Sequence, residues 1–245
     1  LKYASGKYYN TSKPIISDNI FDILKEYGQT QFPKNQCFHE IGAPPNKDKV
    51  QLPYFLGSME KIKPDTAALP KYLKKYPGEK EVSAKLDGIS ALYTTEGDTP
   101  RLFTRGRATT GLDISHIIPY LKLPKIKNIA IRGELVIAQD TFKAKYADSY
   151  KNPRNMVSGV IAGSKKREIE KWKNIDFVGY EVINPSLKPS EQMQWLEDNS
   201  VITVSHQTTG KITNELLSEL LVEWRESYKY EIDGIIVVDN KIYPR

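Results

Sequence analysis

From residue 80 onward, apolar and polar positions alternate in short runs, the period of half-buried strands. Runs at 82–86, 89–95 and 101–105 read as strands, with Glu96-Gly97-Asp98 as the turn between the second and third. Further strand patterns cover 129–138, 175–183 and 232–238. Between them the apolar spacing takes the helical period near 140–147, 154–162, 190–198 and 214–228. In the last of these, Leu216, Leu217, Leu220, Leu221 and Trp224 form a stripe suited to core packing. Residues 1–30 also read as helical. Ser17-Asp18 offers an N-cap, and Ile20, Phe21, Leu24 and Tyr27 fall on one face. Residues 31–64 carry Gly42-Ala43-Pro44-Pro45, Pro53 and Pro64 and read as an irregular linker. Strands and helices mix without strict alternation, so the expected fold class is α+β. The expected division is a small helical unit at 1–40, a linker at 41–64 and a larger domain at 65–245.

Composition narrows the class. The 245 residues suffice for a real core, and 15 Tyr, 7 Phe and 3 Trp supply aromatic material that a disordered chain lacks. No apolar run approaches the roughly 20 residues of a membrane helix, and the first residues contain no signal-peptide stretch. A single cysteine, Cys37, excludes an internal disulfide framework and a Cys-rich zinc module, so an intracellular protein is expected. Lys and Arg number 36 against 30 Asp and Glu, a net charge of +6 that attracts phosphate-bearing partners without identifying one. The chain starts at Leu1 rather than Met, which fits a fragment.

Lys85-Leu86-Asp87-Gly88 lies between two predicted strands. It fits a surface turn with a solvated lysine, and it equally fits a lysine nucleophile. A free lysine is protonated at neutral pH, so a nucleophile needs nearby cations or partial burial to favour the neutral amine. Thr104-Arg105-Gly106, Ile131-Arg132-Gly133-Glu134, Asn152-Pro153-Arg154-Asn155 and Glu231-Ile232-Asp233-Gly234 follow in order and supply such an environment. Each has an ordinary explanation by itself, as a turn or a solvated face. Their order and spacing together are the stronger signal.

This series resembles the N-terminal part of NAD-dependent DNA ligases of bacteria or large DNA viruses, from about Tyr8 to Val238. The resemblance implies a helical NAD-recognition unit at 1–40, an adenine-contacting segment within 41–64 and a nucleotidyltransferase domain (ATP-grasp-like, of mixed antiparallel sheets flanked by helices) at 65–245. Lys85 would be the adenylylated lysine, with Asp87 and Asp233 as its catalytic partners. Tyr8, Tyr9, Asp18, Phe21 and Asp22 would grip the nicotinamide mononucleotide half of NAD. Ser58, Met59, Ser83, Arg105, Glu134, Arg154, Arg225 and Val238 would line the rest of the nucleotide site. Asp233 and Glu134 would hold Mg²⁺ or Mn²⁺. The chain departs from the family pattern at several positions. Tyr9 stands for the usual His, Phe21 for Tyr, Ser83 for Glu, Arg107-Ala108 for Asp-Gly and Val238 for a basic residue.

On this resemblance the chain is the adenylation fragment of a monomeric enzyme whose partners are NAD and nicked double-stranded DNA, with no membrane partner. The family's OB-fold, zinc, helix-hairpin-helix and BRCT parts would lie outside it, so self-adenylylation without efficient nick sealing is expected. Two alternatives stay open on sequence: a nucleotidyltransferase using ATP or GTP, and a non-catalytic nucleotide- or nick-binding module.

Overall fold

The strand pattern around Lys85 resolves into two sheets rather than one. In a computed structural model, which describes residues 3–4, 15–33, 49–64, 66–106, 109–162 and 168–244, the chain divides into two compact units. The first comprises Leu1–Leu56 and Arg105–Asp113, and the second Gly57–Thr104 and Ile114–Arg245.

In the first unit, helix α1 spans Asp18–Gln31, and the Ser17 hydroxyl caps it by accepting from the Ile20 N–H. The apolar face read from the sequence is there, yet Ile20, Leu24 and Tyr27 are exposed. Two short strands, β1 (Val50–Gln51) and β5 (Thr110–Gly111), pair antiparallel in this unit. The linker read over 31–64 therefore contains a strand, too short for its alternation to register.

The second unit holds the larger core. Strands β2 (Lys80–Leu86), β8 (His206–Thr209) and β9 (Ile232–Asp239) form a three-stranded antiparallel sheet in the order β8-β2-β9. Strands β3 (Ile89–Thr94), β4 (Arg101–Thr104), β6 (Ala130–Val136) and β7 (Asp176–Asn184) form a four-stranded antiparallel sheet in the order β4-β3-β6-β7. The fold class is α+β, as the mixed pattern predicts. Leu92, Ile131, Leu135, Phe177 and Val178 are fully buried in the four-stranded sheet. Helix α4 (Pro153–Ala162) packs against β3 and β6 through Met156, Val157 and Val160. Helix α6 (Pro189–Asp198) lies on β7, and α7 (Asn214–Ser227) on β9. Within the α7 stripe Leu220 and Trp224 are buried, while Leu216, Leu217 and Leu221 are half-buried. Three helices complete the described elements: α2 (Ala68–Lys75), α3 (Gln139–Lys145) and α5 (Ile169–Trp172). A 3₁₀ turn covers Ser115–Tyr120. Among the described residues no helix is long and apolar enough to cross a membrane.

Asp87-Gly88 does not close a hairpin. It passes the chain from the three-stranded sheet into the four-stranded one. A Cβ on Gly88 would meet the Leu135 carbonyl oxygen at 2.4 Å, Val136 Cγ1 at 2.6 Å and Glu134 Cγ at 2.8 Å. Glycine is therefore required here by close approach to β6, not by an unusual dihedral angle. We expect Gly88→Ala to destabilise the protein by about 2–4 kcal/mol through overpacking against backbone, read as a fall in denaturant midpoint.

Strand β2 also carries a polar cluster built on one buried carboxylate. Glu81 of β2, only 1% exposed, accepts from Thr208 Oγ1 at 2.6 Å and bonds His206 Nδ1 at 2.7 Å. His206 Nε2 bonds Glu197 of α6 at 3.0 Å. The Glu81 hydrogen bond, opposed by burial and assisted by Glu197, raises the His206 imidazole above its ordinary value. A group raised on folding stabilises fully below its unfolded pKa, near 6.5, and loses that contribution as pH climbs through the folded value. The melting-temperature advantage of the natural chain over His206→Gln should therefore be full at about pH 5.5–6 and shrink steadily above about pH 6.5. An advantage that grows with pH would contradict this arrangement.

Candidate active site

Strands β2 and β9, helix α4 and the connection after β2 bring charged side chains together at one end of β2. Register along β2 and β9 pairs Lys85 with Gly234 and then Leu86 with Ile232, so Asp233 is an extra, bulged residue. A bulge re-aims the side chain it carries. Asp233 turns to Lys85, and Lys85 Nζ donates a hydrogen bond to Asp233 Oδ2. Gly234, opposite Lys85, leaves the lysine stem unobstructed, since a Cβ there would come no nearer than 4.0 Å to Lys85 Cδ. Lys85 is the one exposed residue of β2, and the Lys85 and Asp233 side chains are 47% and 55% exposed. The ion pair opens to the exterior.

Asp87 is held from both sides. Its N–H donates to the Glu231 carbonyl at 3.0 Å, and its Oδ1 accepts from Arg154 Nη1 at 2.9 Å. Arg154 is placed by the start of α4. Asn152 Oδ1 accepts from the Asn155 N–H at 2.8 Å, and Pro153 occupies the first helical position. Burial raises the Asp233 carboxyl, but the Lys85 hydrogen bond and the charges of Lys85, Arg154 and Lys61 outweigh it and hold the group below its ordinary value. Burial, followed by the Asp87 and Asp233 charges, pushes the Glu231 carboxyl up, and Glu231 Oε2 is buried without a hydrogen-bond partner. Lys61 and Glu231 both act at this site and neither emerged from the sequence. One sits in a run of polar residues that reads as solvated, the other beside an Asp-Gly that draws the attention.

A second set of contacts surrounds Glu134. It lies opposite Ser90 in the β3–β6 ladder, and Ser90 Oγ shares a hydrogen bond of 2.8 Å with the Tyr180 hydroxyl. Tyr180 is itself a bulged residue, falling between the pairs Arg132–Glu181 and Gly133–Gly179. Burial, then the Glu134 charge, raises the Tyr180 phenol to about 12, so it stays a neutral donor. Arg132 sits over the Tyr180 ring at 5.7 Å and donates through Nη2 to the Gly57 carbonyl at 3.0 Å. That bond fixes the segment carrying Ser58 and Met59 beside the Glu134 strand.

The remaining predicted residues are placed as follows. Ser83 is buried on β2 on the same face as Lys85, opposite Ile236 and His206, and Val238 lies opposite Glu81. Arg225 stands in the last turn of α7, with Nε donating to the Ile232 carbonyl at 3.1 Å. Arg105 and Phe21, each half-buried, belong to the first unit. Tyr8, Tyr9 and Arg107-Ala108 lie outside the described residues, as do the side chains of Asp18 and Asp22. The geometry thus brings Lys85, Asp87, Arg154 and Asp233 together and sets Glu134 next to Gly88. It is a strand-end lysine flanked by carboxylates and cations, suited to attack on a phosphate.

Known proteins are similar to this chain in sequence. The chain is 38% identical over 253 residues to a DNA ligase of Acanthamoeba polyphaga mimivirus, matching 100% of this chain and 40% of that protein. It is 32% identical to the putative DNA ligase 205R of Invertebrate iridescent virus 6, covering 97% and 39%. Identity to a DNA ligase of Helicobacter acinonychis is 27%, covering 99% and 42%. The chain thus spans about two fifths of the length of these curated relatives. The family model for the NAD-dependent DNA ligase adenylation domain matches residues 67–243, most of the chain, and the chain belongs to that family.

Proposed function

We propose that Lys85 Nζ attacks the adenylyl phosphorus of NAD, leaving AMP on the lysine and releasing nicotinamide mononucleotide. The Nζ–P bond forms as the P–O bond to the departing phosphate breaks, and that oxygen keeps the electron pair. Nζ gives up two protons, one before attack and one after. Asp233, hydrogen-bonded to Nζ, is the acceptor within reach of the first. The observation that carries this reading is that hydrogen bond on an open strand end, with Arg154 and Asp87 paired beside it at 2.9 Å. Catalysis rests on positioning and on neutralising phosphate charge.

The other residues take roles consistent with that step. Arg154 and Arg105 offset phosphate charge, and Glu134 contacts the ribose. Ser58, Met59 and Ser83 border the adenine, Val238 stands where the family's nucleotide site has a basic residue, and Arg225 braces the start of β9. The helical unit at 1–40, through Tyr8, Tyr9, Asp18, Phe21 and Asp22, orients the nicotinamide half. Residues 41–64 link it to the nucleotidyltransferase domain at 65–245. Asp233 and Glu134 offer the hard oxygen donors that Mg²⁺ or Mn²⁺ prefers. Among the described residues no group of three candidate ligands exists, so these two carboxylates alone would be the protein's acidic donors to the ion. When bound, it supplies further charge neutralisation. In the longer protein the AMP passes to a 5′-phosphate at a nick in duplex DNA, and the enzyme works inside the cell as a monomer.

Incubation with NAD and Mg²⁺ should add one AMP to the chain, mapped to Lys85 by peptide mass spectrometry. Lys85→Ala should abolish the addition and Lys85→Arg nearly so, because guanidinium stays protonated. Labelling at another lysine would refute the assignment, and no label at all would favour a binding module. Removal of residues 1–40 should abolish reaction with NAD while circular dichroism reports a folded remainder. A preference of the intact chain for ATP over NAD would overturn the choice of donor.

A further inference from the structure

Residues 121–128, between the 3₁₀ turn and β6, belong to no helix or strand, yet the end of β3 holds them in place. The Pro124 carbonyl accepts from the Tyr93 hydroxyl at 3.0 Å, and the Ile126 carbonyl from Thr95 Oγ1 at 2.7 Å. The Asn128 N–H donates to the Thr95 carbonyl at 3.2 Å, and the Asn128 carbonyl accepts from Asn184 Nδ2 at 2.9 Å. Burial raises the Tyr93 phenol, which keeps it a neutral donor. Asn128 has a φ of 59°, in the left-handed region that asparagine tolerates, just ahead of β6. Leu123, Pro124 and Ile126 are half-buried, while Lys122, Lys125 and Lys127 are exposed. The stretch from Ile114 to Gly133 contains these lysines and Arg132 and no acidic residue. Glu96 reaches the same corner, and its carboxylate is engaged by Thr94 Oγ1 at 3.0 Å and Asn184 Nδ2 at 2.9 Å. Among the described residues none of the three lysines is joined to a carboxylate.

The shape of this row decides what it can bind. A single phosphate needs donors converging on one point, whereas these lysines lie along five residue steps, at most about 17 Å. On one strand of duplex DNA that length covers about five phosphates, at about 3.4 Å of rise for each. A lysine ammonium is a point charge on a flexible stem, suited to phosphate contact and not to reading bases. We infer that Lys122, Lys125 and Lys127 form a sequence-independent contact for the phosphate backbone of duplex DNA, on a ridge held in place by Tyr93 and Thr95. The ridge lies at the Thr95 end of β3, and Gly88 at the other, about 20 Å apart for a strand of this length. It therefore meets the flank of a duplex whose nick is at Lys85. The choice of duplex DNA as the polyanion rests on the reading of the chain as part of a DNA-joining enzyme.

Binding of the full chain to a fluorescent nicked duplex is measured by anisotropy across a series of salt concentrations. Replacing all three lysines (Lys122→Gln, Lys125→Gln, Lys127→Gln) should weaken binding at low salt about tenfold or more. It should also lower the slope of log K against log salt by about 2–3, since each lost phosphate contact removes about 0.9. The loss should be the same on a duplex of unrelated sequence. A matched variant (Lys74→Gln, Lys143→Gln, Lys211→Gln) removes the same charge from other exposed positions and should bind within about threefold of the natural chain. Melting temperatures should agree among the three chains, because every substituted side chain is exposed. Equal loss in the matched variant would overturn the proposal, because net charge alone would then explain the binding. An unaltered slope in the ridge variant would overturn it too, as would no binding by the natural chain at the lowest salt. AMP transfer from NAD, read by intact mass on the same preparations, should be unchanged by the ridge substitutions. A natural chain that binds DNA through the ridge but takes no AMP would refute the adenylylation reading alone.

Discussion

The pairing of β2 with β9 is the constraint on which the rest of the second unit depends. At one end of the ladder Lys80 and Asp239 lie opposite each other and form an ion pair of 2.9 Å, with side chains 1% and 5% exposed. Desolvating two charges is costly, and only close geometry with every donor used offsets it. Lys80 Nζ meets that condition by donating to the Gly78 carbonyl at 2.8 Å and the Glu79 carbonyl at 3.4 Å as well. A slip by one residue would break the pair and leave two buried charges without their partner. The register therefore holds without interruption from Lys80 to Lys85, and the single extra residue at the far end is Asp233.

The same two strands thus carry two Lys–Asp pairs with opposite physical characters. The buried pair fixes alignment. The Lys85–Asp233 pair is about half exposed, where an ion pair adds little to stability. It is free to be rearranged because the fold does not rely on it. Around it Arg154 and Lys61 add positive charge, Asp87 and Glu231 negative charge, and the carboxyls respond in opposite directions. Asp233, hydrogen-bonded by the ammonium, is held charged. Glu231, with one oxygen buried and unpartnered, is pushed towards its neutral form.

Much of this was legible in the sequence, and the illegible part has physical reasons. The strands around Lys85, Glu134 and Asp233 and the helices at 153–162 and 214–227 announce themselves by period, because their burial is one-sided or complete. Strand β8 does not, since His206-Gln207-Thr208-Thr209 has no apolar residue. It is a strand because β2 offers it a ladder from Ser83 to Lys80. Helix α2 is obscured by Pro70 in its first turn, and the 3₁₀ turn by Pro119. Lys-x-Asp-Gly identifies the lysine, but the bulges that aim Asp233 and Tyr180 depend on strand register, which no local pattern encodes. Lys61 in Glu60-Lys61-Ile62-Lys63 looks like any solvated lysine, and only the folded chain brings its charge to bear on Asp233.

Gly88 has one more consequence. The Leu135 carbonyl stands 2.4 Å from where a Cβ would be, so main chain meets main chain at the seam between the two sheets. The Val136 and Glu134 side chains beside it could turn, but the Leu135 carbonyl has no rotamer to change. The chain leaving the Lys85 strand therefore passes β6 at a distance that only glycine permits. Added bulk at this crossing meets backbone, whereas residues 58–64 stand exposed and can change without such a clash.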